Sequence, residues 1–425
     1  MAQVTVLGGG VAGISAAWHA QRAGLEPTVF EAKQRWGGLL DHFMVDGFRF
    51  DNAVHFAFSS NEPFRALLEK TPYITHRPEP YNYEGGSWLK HPVQNNLYPL
   101  PADEKVAAIK SFIDRPGQDP EADYRQWLHQ QFGEYIAERF PVRYTEKYWT
   151  VPAEKLSTAW IGNRLYRPTL DEVLFGAMTD QTPLTYYLEE MLYPKRGGFR
   201  AFLEPLVKGL DLRLAKKAVR INTKKGYVEF EDGTSEHYEH LVSSLPLPEL
   251  AQMLEGAPAA VTEAAAGLWA TSVALVSLGF SCPQAGDHLW FYIYDREIMP
   301  ARVHAPYRKS PDNAPVGQSS LQFEIYFSQH RPLEASPEQL GIHVSEAAEK
   351  MGLASRRDLI ASDFRILPYA NVVFDHNMIA RRDYILEYLK SQSIMTVGRF
   401  GEWDYLWSDQ SFLSGSKVER LNDML

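Results

Sequence analysis

The opening run "QVTVLGGGVAGISAAWHAQRAGLEPTVFEA" constrains the fold more than any other part of the chain. It reads as a strand, a glycine turn, a helix and a second strand, with Gly8, Gly10 and Gly13 in G-x-G-x-x-G spacing. Each glycine has its own physical task. The first permits the tight turn, the second lets backbone approach a pyrophosphate, and the third lets helix and strand pack closely. Glu31 closes the second strand, where an acid can hold a ribose hydroxyl. Strand, turn, helix and acid in this order predict a β-α-β dinucleotide-binding unit.

Bulk properties narrow the rest. A chain of 425 residues that is 45% hydrophobic can bury a large core and is expected to divide into two or three lobes. Its net charge of −10 argues against an electrostatic nucleic-acid binder, which would present a basic face. A single cysteine, Cys282, excludes an intramolecular disulfide framework and a multi-cysteine metal site, and it fits a reducing compartment. The histidines show no paired ligand spacing, so no metal is expected. No window approaches the roughly 20 apolar residues of a membrane span. The expectation is a soluble, cytoplasmic protein. Aromatic residues make up 13% of the chain, and clusters such as "WFYIYD" and "FGEWDYLW" suit pockets for flat rings or sugars as well as packed core.

Further along, residues 102–190 are helix-rich, as "DEKVAAIKSFI" and "DYRQWLHQQFGEYIAERF" show. From residue 208 the pattern turns to short strands, with an Asp-Gly turn in "KKAVRINTKKGYVEFEDGTSEHYEHLVSSLP", and "HLVSSLP" returns to the first domain. Residues 270–330 read as strands with a long excursion, and "TVGRFGEWDYLWSDQSFLSGSKVERL" runs from a strand through a glycine turn into a helix. The segment "SWLKHPVQNNLYPLP" breaks regular structure with proline while interleaving Trp88, Leu89, Val93, Leu97 and Leu100 with side-chain amides. Such apolar interleaving is wasteful in a solvated connector and suits the lip of a ligand pocket.

Glu31, Arg35, Gly37 and Gly38 in "EAKQRWGGLL" resemble the FAD-binding continuation of the amine oxidase and protoporphyrinogen oxidase superfamily. The glycine pair brings backbone N–H groups to the phosphates and Arg35 adds a fixed charge. "FDNAVHFAF", "HPVQNNL", "EKYWTVPAEKLSTAWIGNRLYRP", "YPKRGGFRAF", "LWFYIYDREIMPARVHAPYRKSPDN" and "GRFGEWDYLWSDQSFLSG" follow in order. Together they resemble the UDP-galactopyranose mutase family, its eukaryotic-type branch in particular, over nearly the whole chain. The resemblance implies an α/β fold: a Rossmann-type FAD-binding domain with an inserted helical lobe and a β-sheet lobe. Residues 1–90, 206–265 and 390–425 would form the discontinuous FAD domain, 91–205 the helical lobe and 266–389 the sheet lobe.

The chemistry implied is isomerisation of a sugar ring in cell-surface polysaccharide biosynthesis, with no net redox. Reduced FAD attacks the anomeric carbon through N5, the nucleoside diphosphate leaves, and the sugar closes in the other ring size. The substrate would be a pyrimidine-linked nucleoside-diphosphate sugar, and a reductant or NAD(P)H would keep the flavin reduced. A protoporphyrinogen oxidase-like oxidase or dehydrogenase, and a nucleotide-sugar-binding flavoprotein without turnover, remain the alternatives.

By the same resemblance His55 faces the flavin, and Gly398, Arg399 and Gly401 form its closing turn. Val219 touches adenine through the backbone, and Asp409, Gln410 and Ser411 begin a helix whose positive end faces the flavin pyrimidine. His91 and Gln94 contact the uridine, with Asn95 and Asn96 shaping the loop, while Arg143, Trp160, Arg164, Trp290 and Tyr292 line the substrate. Arg302 binds the diphosphate and Tyr405 reaches the phosphates. Four positions depart from the family pattern. Ala53 and Val54 replace two glycines, Val142 stands where a second clamp arginine is expected, with Arg143 next to it, and Met378 replaces a phosphate-binding tyrosine.

Overall fold

The computed structural model describes residues 2–117, 119, 123–185 and 189–424, the last three without their side chains. Its first sheet is five-stranded and parallel, in the order Ile394–Thr396, His240–Ser243, Gln3–Leu7, Glu26–Phe30, Asp211–Arg213. The start, middle and end of the chain therefore meet in one layer, as the sequence predicts. The helix Val11–Arg22 crosses this layer on a face of small residues, Ala12, Ala16, Ala17 and Ala20, all buried. That smooth face admits the helix Ser408–Gly415, whose Phe412 carbonyl accepts a 2.6 Å hydrogen bond from Ser15. Gly13 is required for the close packing. A Cβ there would sit 2.0 Å from the Gly8 carbonyl oxygen.

The second sheet has seven strands in the order Leu359–Val372, Ala270–Phe280, Ser319–Phe327, Arg302–His304, Trp290–Ile293, Tyr81–Glu84, Ser87–Lys90. One assignment needs correction. Residues 81–90, expected with the dinucleotide domain, extend this larger sheet, Tyr81–Glu84 pairing parallel to Trp290–Ile293. The physical reason is apolar cover: Tyr83 and Trp88 pack on the core around Phe291, with Trp88 edge-on to that ring at 4.9 Å.

A helical group is formed by Ala102–Ile113, Tyr124–Phe132, Glu134–Ala137, Arg143–Tyr148 and Leu170–Met178, of which Arg143–Tyr148 packs on the strand Ser319–Phe327. Glu134–Ala137 continues into Arg143–Tyr148 through a widened π-helical turn, Glu138–Val142. Pro141 explains the widening, since proline lacks an N–H and its ring cannot fit an α-helical interior. Its carbonyl accepts a 2.7 Å bond from the Thr145 hydroxyl.

Two glycine substitutions separate close packing from mere helix propensity. Gly13→Ala should destabilise the protein by about 1–3 kcal/mol or more, as overpacking against a fixed backbone does. Gly341→Ala, in the helix Pro337–Lys350 where a Cβ meets nothing within 4 Å, should stabilise it by up to about 1 kcal/mol. Urea unfolding midpoints measure both, and equal effects would contradict the packing described.

Candidate functional site

A cavity of about 580 Å³ lies between the glycine turn of the parallel sheet and one face of the larger sheet. Strand register builds that face. Tyr292 pairs with Arg302, Arg302 with Glu324, and Val273 with Tyr326, so these side chains rise on one side of adjacent strands. Trp290 and Tyr292, Arg302, Tyr326 and Val273 accordingly line the cavity.

The opposite wall is the glycine cradle of Gly8, Gly10, Gly37 and Gly38, with Glu31 at its edge. Glu31 accepts the Gly9 N–H at 2.7 Å and the Lys33 N–H at 2.9 Å, and the Gly37 N–H donates to the Gly9 carbonyl at 2.8 Å. Gly37 holds φ at 117°, a backbone conformation open to glycine. Glycines without side chains beside an acid at the end of the second strand fit a dinucleotide. Gly13 lies behind this wall as a packing residue. Arg35 lies outside it, bidentate on Asp41 at 2.9 Å, and Arg200 approaches the same carboxylate at 2.7 Å. Burial alone would raise the Asp41 pKa, but the Arg35 hydrogen bond and the Arg200 charge hold it below the ordinary carboxylate range. Val219 stands on a separate three-stranded sheet, 42% exposed and away from the cavity.

The His55 loop crosses between the two walls and is tied to both. Asn52 donates to the Gly38 carbonyl at 3.2 Å, and the Val54 N–H donates to Glu324 at 3.0 Å. Glu324 is fully buried and also accepts Arg302 Nε at 2.8 Å and the Tyr326 hydroxyl at 2.6 Å. Burial pulls the Arg302 pKa down, yet the Glu324 charge outweighs it and keeps the guanidinium firmly protonated. Below the loop a second buried pair, Asp51 with Lys309 at 2.5 Å, takes a further 2.7 Å bond from Tyr193. His55 lines the cavity, and burial pushes its pKa down to about 4, so the ring is neutral at pH 7. Ala53 enters the loop at φ 74° and thus keeps a left-handed conformation without glycine, at a strain of about 1–2 kcal/mol.

The far end of the cavity is cationic and aromatic. The Arg164 guanidinium lies 4.7 Å from the Tyr405 ring centre and 5.0 Å from that of Trp407, and it donates to the Trp160 and Tyr405 carbonyls at 2.8 and 2.6 Å. Arg399 lies 4.5 Å from the same ring centre and donates to Asn371 at 2.8 Å. Trp160, Gly398 and Ser411 also line this end. Asp409 and Gln410 stand off it: Asp409 accepts from Ser59 at 2.8 Å, and Gln410 accepts the Trp407 N–H at 2.9 Å as a helix cap.

At the lip, His91 lines the cavity with its ring centre 5.0 Å from that of Tyr292, its pKa pushed down to about 4 by burial. Its amide-bearing neighbours brace the loop. Gln94 donates to the Tyr166 carbonyl at 2.8 Å, Asn95 to Thr185 at 3.2 Å and Asn96 to the Pro92 carbonyl at 2.7 Å, and none of the three lines the cavity. Arg143 turns to Glu84 at 3.4 Å and also lies off the wall. Val142 and Met378 are buried in the main hydrophobic core. Sequence reasoning missed Glu324, Tyr148 and Asn371. For Glu324 the alternation of Gln322, Glu324 and Tyr326 in "LQFEIYF" was the available signal.

Residues 11–384 match the family of flavin-containing amine oxidoreductases. The chain belongs to that family. Its fold is that of UDP-galactopyranose mutase: against a structure of the reduced enzyme the TM-score is 0.92 at 22% identity, over 100% of this chain and 96% of the other. A protein from Exiguobacterium sp. 255-15 assigned as a protoporphyrinogen oxidase gives a TM-score of 0.77 at 18% identity, over 100% and 99% of the two chains. A local match at 46% identity over 83 residues relates the chain to carotenoid 3,4-desaturase of Haloarcula japonica, spanning 18% of this chain and 17% of the desaturase.

Glu324→Gln should destabilise the protein by up to about 3 kcal/mol, because it leaves the half-buried Arg302 cation without its carboxylate. Exchanging both residues for apolar ones should recover much of that loss in denaturant unfolding; a double variant as weak as the single would contradict a charge-based cause. The depressed histidines set a pH dependence. The unfolded chain gains protons near pH 6.5 that folded His55 and His91 take up only near 4, so stability should be full above pH 6.5 and fall as pH drops. A melting temperature that stays flat between about pH 7 and pH 5 would contradict the neutral, buried state of these rings.

Proposed function

We propose that this protein is an FAD-dependent isomerase acting at the anomeric carbon of a nucleoside-diphosphate sugar, a pyranose/furanose mutase with no net redox. The observation that carries the reading is the charge at the far end of the cavity. Among the described residues, Arg164 and Arg399 line it without any carboxylate partner, beside Arg302. Half-buried cations of this kind in a cavity wall call for an anionic ligand. The shared fold with UDP-galactopyranose mutase over the whole chain supports the same reading.

Gly8, Gly10, Glu31, Gly37, Gly38, Gly398, Arg399 and Ser411 would hold FAD. Reduced FAD, when bound, supplies a nitrogen nucleophile for the anomeric carbon. The chain's own residues do the rest. Arg302, fixed by Glu324, is placed to stabilise the charge that develops on a departing diphosphate, and Arg164 and Tyr405 would bind its oxygens. His91 and Tyr292 offer rings to a pyrimidine base, and Trp290 offers one to the sugar. Neutral His55 can hold a hydrogen bond beside the flavin without adding charge there. A reductant or NAD(P)H would supply the electrons that keep the cofactor reduced. The reading carries with it a cytoplasmic location and a part in cell-surface polysaccharide synthesis; among the described residues no helix is long and apolar enough to cross a membrane.

The local likeness to a desaturase favours a redox reading instead, and the unpaired arginines weigh against it. Purified protein should release about one FAD per chain on denaturation. Titrated anaerobically after dithionite reduction, it should bind UDP or dTDP more tightly than GDP. Arg302→Ala should weaken UDP binding by about 2–5 kcal/mol and Arg302→Lys by less, since an ammonium keeps the charge but lacks the planar fork. Preference for GDP, or unaltered UDP affinity in Arg302→Ala, would overturn the reading.

A further inference from the structure

Asn371 lies near the end of the strand Leu359–Val372, where that strand slips register against Ala270–Phe280. Pairing passes from Thr271 with Asn371 to Val273 with Leu367, so the intervening chain bulges. The Asn371 N–H is held by the Thr271 hydroxyl at 3.2 Å. Its side chain lines the cavity while only 4% of the residue is exposed.

The amide can face only one way. Its Oδ1 accepts from Arg399 Nη2 at 2.8 Å and from the Tyr148 hydroxyl at 3.0 Å. Reversal would turn an NH2 group against a guanidinium. Tyr148, having given its proton to Asn371, accepts from the Tyr405 hydroxyl at 3.0 Å. The bonds from Arg399 on one side and from Tyr405 through Tyr148 on the other therefore converge on the Asn371 Oδ1, and the group contains no carboxylate. The Asn371 Nδ2 is buried and has no acceptor among the described residues. A buried donor left unmatched is costly, so its presence in a cavity wall marks a ligand acceptor.

Resting on the nucleotide-sugar reading above, we propose that Asn371 is a substrate-binding residue whose Nδ2 donates to an oxygen of the diphosphate, while its Oδ1 holds Arg399 and Tyr148 in place. The neighbouring cations and hydroxyls favour an anionic acceptor over a carbonyl. Asn371 is thus a fixed donor in the anion site.

Asn371→Asp tests this with little change of shape: both acceptor contacts survive, and the donor becomes a negatively charged oxygen. The holoprotein is reduced anaerobically and titrated with UDP and, separately, with inorganic pyrophosphate. Affinity for both should fall about tenfold or more in Asn371→Asp, with FAD content and flavin absorption unchanged, and fall likewise in Asn371→Ala. Wild-type affinity for both probes in Asn371→Asp would overturn the inference. So would a variant that loses FAD but, once reconstituted, binds UDP normally, because the donor would then serve the cofactor. Wild-type protein that binds pyrophosphate but not UDP, with pyrophosphate binding lost in Asn371→Asp, would support the inference while the nucleotide reading fails. Wild-type protein that binds neither probe would overturn both.

Discussion

The pair formed by half-buried Arg302 and fully buried Glu324 is the interaction around which the cavity is organised. A carboxylate with no exposed surface survives in the folded state only if donors surround it, and Glu324 has three: the Arg302 guanidinium, the Tyr326 hydroxyl and the Val54 N–H. The last of these matters most for architecture. It ties the His55 loop, which rises from the glycine-cradle side, to the floor of the larger sheet. Asn52 fastens the same loop to Gly38. One carboxylate thereby sets the position of a charged side chain, a strained loop and the spacing between two walls.

That spacing also explains the interleaved chain. The parallel sheet draws strands from residues near both ends and from the middle, and the glycine turns that follow its first and last strands, at Gly8 and Gly398, open onto one cavity. The helical segments close the third side through Tyr144, Tyr148 and Trp160. The π-helical turn at Pro141 lies directly before Tyr144 and sets the phase in which Tyr144 and Tyr148 reach the cavity together, their rings stacked at 5.4 Å. Arg164 and Arg399 then stand at the far end on carbonyl and amide oxygens, with no carboxylate bonded to either among the described residues.

Much of this was legible where chemistry is written in local spacing. The glycine turn with Glu31, the strand-rich stretch from 270 to 330 and the final strand, turn and helix all stand where the sequence predicts them. In the lip loop Asn95 and Asn96, read as shaping the loop, bond to Thr185 and Pro92, and Gln94, read as a uridine contact, bonds to the Tyr166 carbonyl, because a buried irregular loop must satisfy its own polar groups. Arg35 and Arg143 were read as ligand contacts from their places in the family pattern, whereas nearby carboxylates engage both. Ala53 shows the reverse case. The residue departs from glycine, yet the backbone keeps the left-handed turn because the surrounding tethers over-determine it. Glu324 showed only as an acid in the alternation of one strand, and Tyr148 and Asn371 showed no signal, for a different reason. Their roles depend on register and on contacts between distant segments, such as Glu324 opposite Arg302 or Tyr148 beside Asn371, which no local pattern encodes.

The central claim is that this cavity rearranges a sugar without net electron transfer. The most direct test is the number of turnovers supported by one reduction of the flavin. Holoprotein is reduced once, freed of excess reductant and incubated without oxygen with an excess of UDP-hexopyranoses, with furanose formation followed by NMR and flavin state by absorbance. The account predicts many furanose molecules per flavin, with the flavin still reduced at the end. Product limited to one molecule per flavin and matched by flavin oxidation, or turnover that requires oxygen, would contradict it.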